Sequence, residues 1–331
     1  MNPADSSIFE SLLGSDEPSI EWKLRREVLG QPEVELTDLR ERIRQSERVT
    51  RLLAGMSPGH VYNKWHGAHW VLSALADLGY PSGAKELAPL RDRVTAAWLD
   101  DQYYSEFEAK SSSSSYGKKG VPLIDGRYRR CGSIHGNALR AICELGLADE
   151  RADQLVERLL HWQWPDGGWN CDRNPTADTS SFMETLLPMR GLQAYSETTR
   201  NKPAGEAARR AAEVFLSRGM FRRRLDGTVI NPDFVRLHYP LYWHYDILGG
   251  LRGMAEVGLL DDPRCAEALD LLEEMRLPGG GWSAGGRFYS VSTEAKPNTD
   301  SVDWGSGRSK PNPWVTADAL GVLVAAGRLR P

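Results

Sequence analysis

The sequence predicts an all-α protein, an α/α toroid of about six inner and five or six outer helices in one domain over residues 1–331. Three observations point there. Apolar residues recur at the helical period, and clean alternating strands are hard to find. Charged and weakly charged helical segments alternate along the chain. The weakly charged segments each end in glycine: Gly30, Gly79, Gly146, Gly191, Gly258 and Gly327. Glycine suits a left-handed cap just past a helix C-terminus.

The weakly charged segments are residues 20–30 (the one charged exception), 64–79, 131–146, 180–191, 242–258 and 314–327. Between them lie Arg- and Glu-rich amphipathic stretches at 33–55, 150–163, 206–219 and 262–276. The cap glycines are 49, 67, 45, 67 and 69 residues apart, a spacing that reads as a degenerate helical-pair repeat. Weakly charged helices want an inner shell and charged ones an outer shell, which the toroid provides. Asn312-Pro313 supplies an N-cap and an N1 proline before Trp314, and Ser181-x-x-Glu184 reads as a capping box. Residues 1–18 read as a flexible tail. The serine run within 105–130 reads as a long mobile surface loop.

Composition narrows the function. Net charge is −4 and the longest basic run is Arg222–Arg224, so no nucleic-acid partner is expected. No apolar run reaches the length of a membrane span, although exposed aromatics leave peripheral membrane contact open. Four cysteines in 331 residues make no disulfide framework, and a cytoplasmic protein with reduced thiols is expected. Aromatics with polar handles dominate, with 11 Trp and 11 Tyr against 7 Phe.

Residues 163–169, QWPDGGW, have the form Q-x3-G-x-W, and PGGGWSA at 278–284 is a weaker copy without the glutamine. This resembles the QW repeat of squalene and hopene cyclases, which recurs loosely in protein prenyltransferase β subunits. The resemblance implies a toroid in which the glutamine caps backbone groups and the tryptophan packs on the next turn. It also implies an enzyme acting on an apolar, isoprenoid-like small molecule in an aromatic cavity, by acid–base or carbocation chemistry. The cyclase D-x-D-D-T motif has its nearest counterpart in residues 175–179, where Ala177 occupies the proton donor's place.

In such a toroid the inner-helix N-termini gather at one end of the cavity. There Trp65, His69, Cys131, His135, Glu184, Tyr242, Trp243 and Trp314 are the expected substrate contacts. Tyr242, Trp243, His244 and Asp246 are expected on one helical turn. Asp246 would be the buried general acid with His244 beside it, and Asp172 is a third catalytic candidate. No cofactor is required by the sequence. Zinc is the metal that Cys131, His135, Cys171 and Asp172 suit, and β subunits of the resembled transferases bind zinc through Asp, Cys and His. Three alternatives stand beside the cyclase-like enzyme: a zinc-dependent transferase, a glycan-active toroid enzyme with facing carboxylates, and a non-catalytic binder of hydrophobic ligands.

Overall fold

The structure is a computed structural model that describes residues 3–305 and 307–330. Helix accounts for 52% of it, which puts the chain in the all-α class. The chain opens with α1 (Pro3–Leu13), α2 (Pro18–Glu27), α3 (Thr37–Arg44), α4 (Glu47–Ala54) and α5 (Ala68–Leu78). Next come α6 (Ala88–Trp98), α7 (Ser112–Tyr116), α8 (Gly132–Glu144), α9 (Glu150–Trp162), α10 (Phe182–Thr199) and α11 (Lys202–Leu216). The last three are α12 (Ile247–Glu256), α13 (Ala266–Glu274) and α14 (Pro313–Ala325). Two compact units divide these elements. One comprises Gly83–Leu216; the other takes the chain up to Ser82 and from Ser217 onward.

In the unit of Gly83–Leu216, α8 is buried on almost every side, whereas α9 buries one stripe: Ala152, Leu155, Val156, Leu159 and Trp162. That contrast follows the difference in charge between the two segments. Asp149 caps α9 by accepting the Arg151 N–H. α8 and α10 cross through glycine: a methyl group on Gly136 would lie 2.2 Å from the Pro188 nitrogen, and one on Gly191 would lie 2.3 Å from the Gly136 oxygen. Gly191 is therefore not a cap. α10 runs on to Thr199, and the glycine serves close packing instead.

The Gln163 turn does act as a clamp. Its Nε2 donates to the Gly167 and Ala207 carbonyls at 2.7 and 2.9 Å. The Trp169 indole donates to Leu159 O near the end of α9, and the Trp169 N–H donates to Thr185 Oγ1 in α10. The weaker copy repeats the pattern in the other unit. Trp282 Nε1 donates to Leu272 O in α13, and the Trp282 N–H donates to Thr316 Oγ1 in α14.

The 105–130 segment is more structured than a mobile loop. It holds β1 (Glu106–Glu108), β2 (Val121–Ile124), β3 (Arg127–Tyr128) and α7. β1 pairs with β2 in parallel, β2 with β3 antiparallel, and Asp125-Gly126, both at positive φ, form the tight turn between the last two.

In the second unit α1 replaces the expected tail. Its Phe9 and Leu12 are buried, and Asp5 pairs with Arg276 at 3.2 Å. Pro18 at the start and Arg25 and Arg26 in the last turn frame α2. α2, α5, α12 and α14 share a charged cluster. Lys23 Nζ lies 2.9 Å from Asp318 and 3.5 Å from Asp77, and Arg252 lies 2.7 Å from Asp318 and 3.6 Å from Asp77. The Tyr239 hydroxyl donates to Asp77 at 2.5 Å. Asn312 caps α14 by accepting from the Trp314 and Val315 N–H groups, as its sequence predicts.

Candidate metal centre

Three side chains of the Gly83–Leu216 unit converge. The sulfurs of Cys131 and Cys171 and a carboxylate oxygen of Glu184 all lie within 4.8 Å of one another. Each comes from a different kind of element. Cys131 is the N-cap residue of α8, Cys171 follows the Trp169 turn, and Glu184 stands in the first turn of α10. Among the described residues this is the only such group of three His, Cys, Asp or Glu side chains, and it could hold a metal ion.

Hydrogen bonds pre-orient it. Glu184 Oε2 accepts from the Ser133 hydroxyl at 2.7 Å and from the Ser133 N–H at 3.1 Å, while Oε1 accepts from Cys171 Sγ at 3.3 Å. One carboxylate oxygen is thus anchored by the N-terminus of α8 and the other faces the thiols. Glu184 is consequently not the capping-box partner of Ser181, which makes no side-chain cap bond. The Cys171 thiol is pushed well above its ordinary range by its hydrogen bond with Cys131, by burial and by Glu184.

The donor set suits zinc. Two sulfurs and one oxygen are a soft-leaning set, and tetrahedral coordination asks for ligand atoms roughly 3.5–3.8 Å apart. The 3.3 Å already present between Cys171 and Glu184 is close to that.

Arg130 borders the cluster. Its guanidinium lies over the rings of Tyr103 and Trp162 at 5.0 and 5.9 Å, and burial lowers its pKa. Its Nε and Nη2 are buried without a hydrogen-bond partner. Tyr104 is buried nearby, its hydroxyl pushed up to about 12.

The other two metal candidates stand apart from the three. His135 is fully buried, with its ring edge-on to Trp162 at 5.3 Å. Asp172 is exposed and spends its carboxylate on the Asn174 N–H at 2.9 Å.

The remaining candidates belong to the other unit. Asp246 is the N-cap of α12. Its Oδ1 accepts from the Gly249 N–H and its Oδ2 from the His238 N–H, both at 2.8 Å. Residues 242–246 are not helical, and Tyr242 sits at φ 51°, so the expected single helical turn does not form. The aromatics stack instead. Trp65 lies face to face with Tyr242 at 3.7 Å, and His244 is sandwiched between Phe288 at 3.4 Å and Trp243 at 4.0 Å. The Tyr242 hydroxyl donates to buried Asp300 at 2.6 Å.

Trp65 precedes α5 rather than opening it, and it meets Trp70 edge-on at 4.7 Å. His69 is buried edge-on against Trp70, and Trp314 is buried in parallel stacking on Tyr239. Sequence reasoning named Trp65, Tyr242, Trp243 and His244 together but missed Phe288 and Asp300, which come from a short two-stranded segment without a motif.

One comparison within the chain separates chemistry from scaffold. The matching hydrogen bonds of Trp169 and Trp282 align the two turns, so Cys171 corresponds to Ala284 and Glu184 to Val315. The N-cap Cys131 of α8 corresponds to Asp246 of α12. The same clamp bonds therefore form with Asp, Ala and Val at the matching positions. Two cysteines and a glutamate at one copy alone are not demanded by the clamp. No protein-family model matches the chain, and no curated protein matches it.

Proposed function

We propose that this protein is a zinc-dependent transferase whose metal is held by Cys131, Cys171 and Glu184. The observation that carries this reading is the convergence of those three ligand atoms within 4.8 Å at only one of the two aligned turns. Held by Cys131, Cys171 and Glu184, zinc would supply a Lewis acid at this end of α8 and α10. The chain's own residues do the rest. Ser133 fixes the orientation of Glu184, as partners of metal ligands generally do. Buried Trp162 and Trp169 limit access of water.

The Tyr103 and Trp162 rings that pack on Arg130 beside the cluster support an apolar reactant, in keeping with the resemblance to cyclases and prenyltransferases. The α/α toroid and a cytoplasmic, reducing setting belong to the same proposal. A reducing setting keeps the two thiols available to metal. Cyclisation driven by Asp246 has less support, because both of its oxygens are occupied by backbone donors.

Elemental analysis of untagged protein tests the reading. About one zinc per chain is expected, falling below about a tenth in Cys131→Ser and Cys171→Ser and retained in His135→Asn and Asp172→Asn. Cobalt exchanged into the site should show a sulfur-to-metal charge-transfer band that either Cys→Ser change removes. Wild-type protein that takes up no zinc at neutral pH would sink the proposal. Because Cys171 holds its proton tightly, zinc must displace it. Affinity should therefore rise about tenfold per pH unit for each proton released, and fall as pH drops.

A further inference from the structure

A cavity of about 390 Å³ opens in the unit that carries α5 and α12, away from the thiol cluster in sequence and in unit. Its walls include Lys64, Trp65, His244, Arg287, Ser290 and Asn298. That volume falls within the roughly 300–1,000 Å³ that small-ligand sites occupy. Its charge is unusual. Lys64 lies over the rings of Trp65 and Trp243 at 5.4 and 5.0 Å, and Arg287 lies over Tyr289 at 5.5 Å. Among the described residues neither cation has a carboxylate within ion-pairing distance.

His244 adds an acceptor rather than a third cation. Burial drops its pKa to about 4, so the ring is neutral at physiological pH. Its Nδ1 lies 3.1 Å from the Leu241 carbonyl, which places the ring proton there and leaves Nε2 as an acceptor. Asp233, whose charge acts on it, is already paired with Arg236.

We infer that this cavity binds a phosphate monoester with a small hydroxylated body. Two unpaired cations match the charge of about −1.5 to −2 on a phosphate ester, where a carboxylate needs only one. Exposed Ser290 and Asn298, with half-buried His244, offer the body hydrogen-bonding partners. The Trp65 and Trp243 rings beneath Lys64 keep that ammonium partly desolvated, which strengthens its pull on an anion. The inference is independent of the zinc reading, since it uses none of the same residues.

Calorimetric and tryptophan-fluorescence titrations at constant ionic strength test it, with glycerol 3-phosphate, inorganic phosphate, D-glycerate and glycerol as probes. Glycerol 3-phosphate should bind, and its affinity should fall at least about tenfold in Lys64→Met and in Arg287→Met. Lys64→Arg should retain most of the affinity. All variants should keep the wild-type circular dichroism and zinc content. Inorganic phosphate binding as tightly as the ester would overturn the ester assignment, and D-glycerate doing so would overturn the dianion. Absence of glycerol 3-phosphate binding to the wild type, or equal binding to both methionine variants, would overturn the site itself.

Discussion

Stacking between Phe288 and Trp243 leaves His244 half-buried, and the partial loss of hydration penalises its protonated form. Its folded-state pKa of about 4 lies below the ordinary 6.5, so the unfolded chain binds the extra proton between those values. Stability attributable to His244 is thus full above pH 6.5 and lost as pH falls toward 4, by at most about 3 kcal/mol. Urea titrations across that window should show a steeper loss for wild type than for His244→Phe. Parallel profiles would mean that the ring is hydrated. Residue types alone could suggest that His244 and Asp246 belong to one functional turn. They could not show that backbone N–H groups occupy both Asp246 oxygens, because that depends on a loop conformation with Tyr242 at positive φ.

At the scale of elements, the legible signals were the local ones: proline and asparagine at the start of α14, the glutamine and tryptophan of the 163–169 clamp, and the polarity contrast between α8 and α9. Each is written within a few residues. The crossing of α8 over α10 is not, because Gly136 and Gly191 are 55 positions apart and acquire meaning only when the helices meet. Gly191 therefore looked like one more cap. Gly136→Ala should cost about 2–4 kcal/mol, since its methyl would meet the backbone of Pro188 rather than a side chain that can turn away. Thermal or urea melting would measure it. A loss under about 0.5 kcal/mol would mean that the helices separate freely. Glu184 taught the same lesson. Ser181-x-x-Glu184 has the spacing of a capping box, yet its carboxylate turns across to Ser133 and Cys171, partners 51 and 13 residues away.

Across the whole molecule, the all-α class was readable from periodicity, whereas the division into two units was not, since no composition shift marks Ser82 or Leu216. The cluster of Lys23, Asp77, Arg252 and Asp318 was equally hidden. Its members sit singly on four helices, up to 295 positions apart, and no local pattern links them. Lys23 is almost wholly buried, so removing it leaves neighbouring carboxylates short of a cation. Lys23→Met should destabilise the protein by about 3–5 kcal/mol. Calorimetric melting would show it, and an unchanged Tm would mean that Arg252 alone neutralises both acids.

The same contact has a temporal side. Lys23 and its partner Asp318 are 295 positions apart, with all of Gly83–Leu216 between them. At roughly 5–20 residues per second, a ribosome takes about 15–60 s to make that stretch. Throughout that interval an emerging α2 lacks α14, the helix that supplies the carboxylate partner of Lys23. The birth of this protein therefore includes a waiting period, during which a nascent-chain chaperone has its natural opportunity to bind.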